Sequence, residues 1–95
     1  MKLRFYIDPV TRGPHIHGHG VREEEVEEVL NSSGEDRAGR EGSRVAIGQT
    51  SAGRFLRVIY VPDSPADSAL VITAWELRGK PLLAYRQRLR GRRKR

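Results

Sequence analysis

Three histidines at alternate positions, His15, His17 and His19, are the side chains near the start of this 95-residue chain most suited to chemistry. In an extended segment all three would point the same way, and imidazole is a ligand for zinc, copper or nickel. No fourth ligand is evident close by in the sequence, so a metal site is the weaker alternative. A histidine can instead exchange a proton near neutral pH, or it can simply hydrogen-bond the backbone of a loop.

Arg57 is the second residue of interest, because it interrupts an apolar run from Phe55 to Val61. A basic side chain in such a strand must reach solvent, a carboxylate or a ligand. Two alternatives follow: the arginine stem lies along the sheet and pairs with an acid, or it contacts phosphate on an open sheet face. Trp75 has a similar pair of interpretations, as a core residue or as a surface on which a base stacks. Its apolar surroundings favour the core.

Positive charge is concentrated at the C-terminal end. Nine of the 18 Lys and Arg residues lie from Arg78 onward, where no acid occurs, so the preceding residues carry nine basic and 12 acidic residues. A cationic segment on a mildly acidic body indicates contact with a polyanion, although a solubilising tail has the same composition. The side chains expected to bind phosphate here are Arg78, Lys80, Arg86, Arg88 and Arg90.

These residues must be positioned by a sheet whose centre is the stretch from Ser43 to Leu77. Three runs rich in Val, Ile and aromatic residues are separated there by turn signals at 51–53 and 62–65, which predicts three consecutive antiparallel strands. A first strand is predicted from Lys2 to Ile7, where polar and apolar residues alternate. The strand that contains Arg57 is largely apolar on both faces, so it should be central.

Two helices are expected to pack on this sheet. The stretch from Val21 to Leu30 has an apolar stripe and an acidic first turn, whose glutamates should be solvated. The last helix should begin near Pro81 and bury a face that includes Tyr85. Residues 35–42 are charged and lack periodicity, which predicts a loop. The predicted fold is therefore α+β, with a four-stranded, mostly antiparallel sheet and the order β-α-β-β-β-α.

Length and composition restrict the class of protein. Ninety-five residues make one domain, which we place at residues 1–90, followed by a basic tail at 91–95. The absence of cysteine excludes disulfides, a thiolate zinc site and a cysteine nucleophile. No apolar run approaches a membrane span, and the N-terminus lacks the core of a signal peptide. We therefore expect a soluble cytoplasmic protein with no membrane contact and no cofactor.

Several local strings, in their order, give the chain a resemblance to a known superfamily. They are His19-Gly20-Val21 before the first helix, the strand from Gly53 to Tyr60, Val71-Ile72-Thr73-Ala74, and Tyr85-Arg86 in the last helix. Together with the predicted element order, they resemble the RelE-like toxins, closest to BrnT-like ribonucleases and their small relatives of unknown function. The resemblance covers about residues 15 to 90.

The resemblance implies a metal-independent ribonuclease that acts on RNA and pairs with an antitoxin protein. Matched onto this chain, the residues implicated in catalysis are His19, Tyr85 and Arg86, and Arg54 matches the strand arginine. Two basic positions of the BrnT-like pattern are replaced, by Gly18 and by the pair Trp75-Glu76. Because a metal-free ribonuclease needs cations to stabilise its charged transition state, these departures weaken the catalytic implication more than the fold.

The sequence thus supports two hypotheses of function. The first is a RelE/BrnT-like endoribonuclease, or a descendant that still binds RNA, with phosphate held by Arg54, Arg57 and the C-terminal basic residues. The alternative is a non-catalytic module that docks on nucleic acid or an acidic partner through its last helix and tail.

Overall fold

A computed structural model describes residues 2–32, 34–63 and 67–93 of the chain, with side chains up to 91. It has the predicted α+β class, with a five-stranded mixed sheet and two α-helices. A 3₁₀ helix at His15–His19 lies between the first strand and the first helix. The strands are β1 Lys2–Phe5, β2 Glu35–Ala38, β3 Arg44–Gln49, β4 Phe55–Pro62 and β5 Ser68–Glu76, and the helices are α1 Glu23–Asn31 and α2 Gly79–Arg93.

The strand order across the sheet is β1-β5-β4-β3-β2. The consecutive strands β3, β4 and β5 pair antiparallel, which confirms the predicted three-strand meander, and β4 is the central strand as expected. β1 joins the sheet beside β5 in parallel, with Lys2 opposite Ser68 and Phe5 opposite Val71. The sheet is therefore mostly antiparallel with one parallel edge.

The prediction of four strands was wrong, because the charged segment expected to be a loop contains β2. Glu35–Ala38 pairs antiparallel with β3 and forms the other edge of the sheet. An edge strand tolerates charged side chains, and these two strands also share an ion pair, since Arg44 Nε lies 2.6 Å from Asp36 Oδ1. The hydroxyl of Tyr60 also donates to Asp36, so β2 is tied across β3 to the central strand.

The main core lies between α1, the 3₁₀ helix and one face of the sheet. Val26 and Val29 of α1 pack with Ile16 of the 3₁₀ helix against Leu56 and Val58 of β4, and all five are almost fully buried. The predicted apolar stripe of the first helix is thus confirmed. The helix begins at Glu23, two residues after the predicted start at Val21. Val21 precedes the helix and is buried in the same core.

Helix α2 packs on the opposite face, where it covers one end of the sheet. Tyr85, with Leu82 and Leu89 beside it, packs against Ile47 and Phe55. The other β4 residues on this face, Arg57, Ile59 and Val61, are only half-buried, whereas the alternate residues of the strand are buried in the main core. The helix begins at Gly79, two residues before Pro81. The predicted turn at Ser64-Pro65 and the end of the predicted tail, Lys94-Arg95, lie outside the described residues.

Candidate nucleic-acid interface

The structure separates cations that are neutralised by carboxylates from cations that are not. This distinction matters because a paired guanidinium must lose its partner before it can bind phosphate. Among the described residues, the arginines within ion-pair distance of a carboxylate are Arg4, Arg22, Arg44, Arg54, Arg78 and Arg88.

Arg54 is held in a network that joins α1 to the sheet. Its guanidinium donates at 2.8 Å to both carboxylate oxygens of Glu25 and at 3.2 Å to Glu76, and it also reaches the carbonyl of Gly20. Glu25 is buried, contrary to the expectation of a solvated acidic face. Burial raises the pKa of Glu25, but hydrogen bonds from the Arg22 amide and from Arg54 outweigh it, and the pKa falls below its ordinary value. Arg54 therefore connects elements of the fold.

Two further residues expected at the site also contribute to packing. Arg88 forms an ion pair with Glu35, whose side chain is 5% exposed, and lies 5.9 Å from the centroid of the Tyr85 ring. Tyr85 itself is 2% exposed and packs edge-on against Phe55, with its hydroxyl directed toward the Ile47 carbonyl. The structure thus places the Tyr85 hydroxyl inside the protein, away from any solvent-borne substrate.

Arg57 has a different environment. It lies on the half-buried face of β4, directly opposite Trp75 of β5, and its Cζ is 5.7 Å from the centroid of the Trp75 ring. No carboxylate of the described residues lies within ion-pair distance of it, so the expected acid partner is not found. Its Nε is buried without a hydrogen-bond partner in the described part of the chain, as is Oγ1 of Thr73.

A basic groove borders Arg57 on the side of β2. It encloses about 360 Å³ and is lined by Arg57, Arg37 and Arg40, with Val45 and Ile59 as its apolar floor. Neither Arg37 nor Arg40 has a carboxylate partner among the described residues, and both are exposed. Three guanidinium groups without acids around one groove are suited to a phosphate backbone, because phosphate recognition is dominated by such cations.

His19 lies on the other side of Trp75. The centroids of the two rings are 6.3 Å apart, and His19 also contacts His15 at 5.2 Å. His17 is directed elsewhere, with its Nε2 2.7 Å from Glu23, and this hydrogen bond is the main cause of the lowered pKa of Glu23. The three histidines do not converge, and no group of three metal-ligating side chains is found among the described residues.

The exposed side of α2 carries the remaining predicted cations. Arg86 and Arg90 lie one turn apart and border a cleft with Phe55, while Lys80 is exposed in the first turn. Arg86 Cζ lies 5.0 Å from the centroid of the Phe55 ring. Tyr85 and Arg86 are adjacent in sequence, but Tyr85 is buried in the protein and Arg86 is exposed beside the cleft. The structure does not bring His19 and Tyr85 into contact.

His19 and Arg57 thus both lie beside Trp75, and the groove at Arg57 adds Arg37 and Arg40, which were not predicted from the sequence. Both lie in residues 35–42, which were predicted to form a loop because this segment is charged and lacks periodicity. No sequence signal identifies them, because the neighbouring acids Glu35 and Asp36 are paired with Arg88 and Arg44 only in the folded chain.

No protein-family model matches the chain. No curated protein and no solved structure matches it either. The resemblance to RelE-like and BrnT-like toxins therefore stays a prediction from the sequence. None of the described helices is both long enough and apolar enough to cross a membrane.

Proposed function

We propose that this chain is a RelE/BrnT-like protein that binds RNA on the open face of its sheet. The observation that carries the proposal is the position of Arg57, which lies on that face, lines the basic groove and has no carboxylate partner among the described residues. Arg57 lines this groove together with Arg37 and Arg40, and a phosphate bound there would accept charge-assisted hydrogen bonds from the guanidinium groups.

The neighbours of Arg57 match the chemistry of a single strand. Trp75 is half-buried and presents an aromatic surface on which a base can stack, and stacking of this kind is tolerant of sequence. Arg37 and Arg40 line the groove on the other side and would hold the next phosphates. Duplex RNA fits less well, because its bases are already stacked and cannot reach Trp75.

Fluorescence anisotropy with a short labelled single-stranded RNA tests the proposal. Arg57→Gln should weaken binding by about tenfold or more, since it removes the central contact. Arg37→Gln should weaken binding less. Each lost phosphate contact should reduce the magnitude of the slope of log affinity against log salt concentration by about one. Arg12→Gln makes the same change of charge in an exposed turn and should bind like the wild type.

Two results would contradict this assignment. One is the absence of RNA binding by the wild-type chain at low salt. The other is an Arg57→Gln variant that binds like the wild type while removal of the basic tail at residues 91–95 abolishes binding. The second result would favour the alternative function, a module that docks through its cationic C-terminal end.

A metal-independent endoribonuclease is a second candidate, favoured by the contact between His19 and Trp75. His19 would take the proton from a ribose 2′-hydroxyl as that oxygen attacks the adjacent phosphorus. The bond to the 5′-oxygen would break, that oxygen would take a proton from water, and Arg57 would stabilise the charge on the phosphorus centre. A cognate antitoxin belongs to this hypothesis, and a small DNA-binding protein encoded beside the chain would support it.

Cleavage assays in the presence of a chelator separate binding from catalysis. His19→Ala should abolish cleavage and leave affinity for RNA nearly unchanged, because His19 is exposed at the margin of the surface. His17→Ala is the matched control, since His17 is engaged with Glu23. If the wild type cleaves no RNA, or if His19→Ala cleaves as fast as the wild type, the catalytic candidate is wrong while RNA binding stands.

A further inference from the structure

A second cleft, between α2 and the ends of β3 and β4, has the features of a small-ligand site. It encloses about 250 Å³ and is lined by Gln49, Phe55, Arg86, Leu89 and Arg90. Neither arginine has a carboxylate partner among the described residues, although Arg88, two positions from each, is paired with Glu35. Residues four apart on a helix lie on the same side, so Arg86 and Arg90 face this cleft together.

The cleft has an aromatic and apolar surface beside two cationic side chains. A ligand that matches both must combine a planar apolar part with an anionic part. Phe55 is half-buried, is fixed edge-on by Tyr85 at 6.0 Å, and has the planar guanidinium of Arg86 over its ring. Aromatic and guanidinium planes of this kind stack on nucleobases. Gln49 is exposed, and its amide donates only to the Gly53 carbonyl, at 3.3 Å, among the described residues. Its carbonyl oxygen can therefore accept a hydrogen bond from a base.

We propose that this cleft binds a nucleoside monophosphate unit, either free or as one residue of an RNA strand. The base would stack on the Arg86 guanidinium that lies over Phe55 and would contact Leu89, with its edge toward Gln49. The phosphate would be held by Arg86 and Arg90. An inorganic anion alone would leave the apolar lining in water, and an uncharged nucleoside would leave both guanidinium groups without a partner.

The site is independent of the surface proposed to bind RNA. Arg57 does not line this cleft, and neither Arg86 nor Arg90 lines the groove beside Arg57. The two proposals can therefore fail separately. Because Arg86 and Arg90 are exposed, glutamine at either position should leave the fold intact, which circular dichroism can verify.

NMR titration of the labelled chain with a nucleoside 5′-monophosphate tests the site. Amide signals around Gln49, Phe55 and Leu89 should shift, with affinity above that for inorganic phosphate or for the uncharged nucleoside. Arg86→Gln should weaken binding by about tenfold. Lys80→Gln, the same loss of charge in the first turn of α2, and Arg57→Gln should bind the nucleotide like the wild type.

Three results would overturn this inference: no shift at millimolar nucleotide, equal affinity for inorganic phosphate, or a loss in Arg57→Gln as large as in Arg86→Gln. A competition experiment then identifies the source of the ligand. Release of labelled RNA by the mononucleotide would assign the cleft to one residue of the bound strand. Retention of the RNA while the mononucleotide binds would assign it to a free nucleotide.

Discussion

The guanidinium of Arg57 lies 5.7 Å from the ring centroid of Trp75, directly across the β4–β5 ladder. Trp75 is the single tryptophan of the chain, so its fluorescence reports on this surface alone. We expect RNA to quench and shift the emission of Trp75, because a base stacks on the indole or a phosphate draws Arg57 away from it.

The measurement is a tryptophan fluorescence titration with unlabelled RNA. Arg57→Gln should change the emission maximum of the free protein and reduce the amplitude of quenching. Arg12→Gln should change neither. If anisotropy measurements show that RNA binds while the fluorescence of Trp75 stays constant, the RNA strand does not lie on this face of the sheet.

The ion pair between the half-buried Arg54 and the buried Glu25 should contribute to stability. Glu25→Gln removes the nearer of the two carboxylates that Arg54 contacts, and Glu76 remains, so we expect a loss of about 1–3 kcal/mol in the free energy of unfolding. Glu24→Gln, at an exposed position of the same helix, should change it by less than about 0.5 kcal/mol. Urea denaturation near pH 7 compares the two variants, and equal stabilities would show that the pair contributes little.

The same pair predicts the direction of the pH dependence. The pKa of Glu25 in the folded chain lies below the ordinary value of 4.5. The stabilisation from its charged form is therefore present above pH 4.5 and is lost as pH falls through the lower folded value. Wild-type stability should decline more steeply with acid than that of Glu25→Gln, and parallel curves would contradict this.

Gly34 lies where helix α2 approaches the start of β2. A Cβ at this position would overlap the hydroxyl of Tyr85, which is buried and cannot move aside easily. Gly34→Ala should therefore lower the free energy of unfolding by about 1–3 kcal/mol. Gly13→Ala, where no atom lies within 4 Å of the added Cβ, is the matched control.

A double mutant separates this overlap from a general effect of the substitution. Tyr85→Phe removes the hydroxyl that the alanine methyl would meet, so Gly34→Ala should cost less in that background. Thermal or urea denaturation of the four proteins gives the coupling free energy. A cost of Gly34→Ala that is the same in both backgrounds would exclude the hydroxyl as its cause.

Tyr60 should titrate at unusually high pH. Burial, together with its hydrogen bond to Asp36, raises the pKa of Tyr60 to about 12. Because this value exceeds the ordinary 10, the stabilisation is present below pH 10 and is lost as pH rises toward 12. An absorbance titration of tyrosinate should lose its latest component, near pH 12, in Tyr60→Phe. A Tyr60→Phe curve that keeps the latest component would contradict the assignment.

The sequence by itself determined the class of fold and its main elements. The meander β3-β4-β5, the apolar stripe of α1 and the buried face of α2 were predictable, because periodic burial of Val, Ile and Leu is a local property of the chain. The sequence also identified Arg57 as a basic residue inside an apolar strand, where it must reach solvent, a carboxylate or a ligand. Both alternatives for its partner were open, since a sequence does not show which carboxylates come near.

Tertiary structure decided which arginines are free of carboxylates and so available to bind phosphate. Arg54 and Arg88 are matched to acids distant in sequence, while Arg37, Arg40 and Arg57 are left without carboxylate partners among the described residues. It also made a strand of the charged segment 35–38, because β3 offered an edge with which to pair. Both outcomes depend on contacts between residues far apart in the chain, and electrostatic free energy depends on distance and burial, which local composition does not contain.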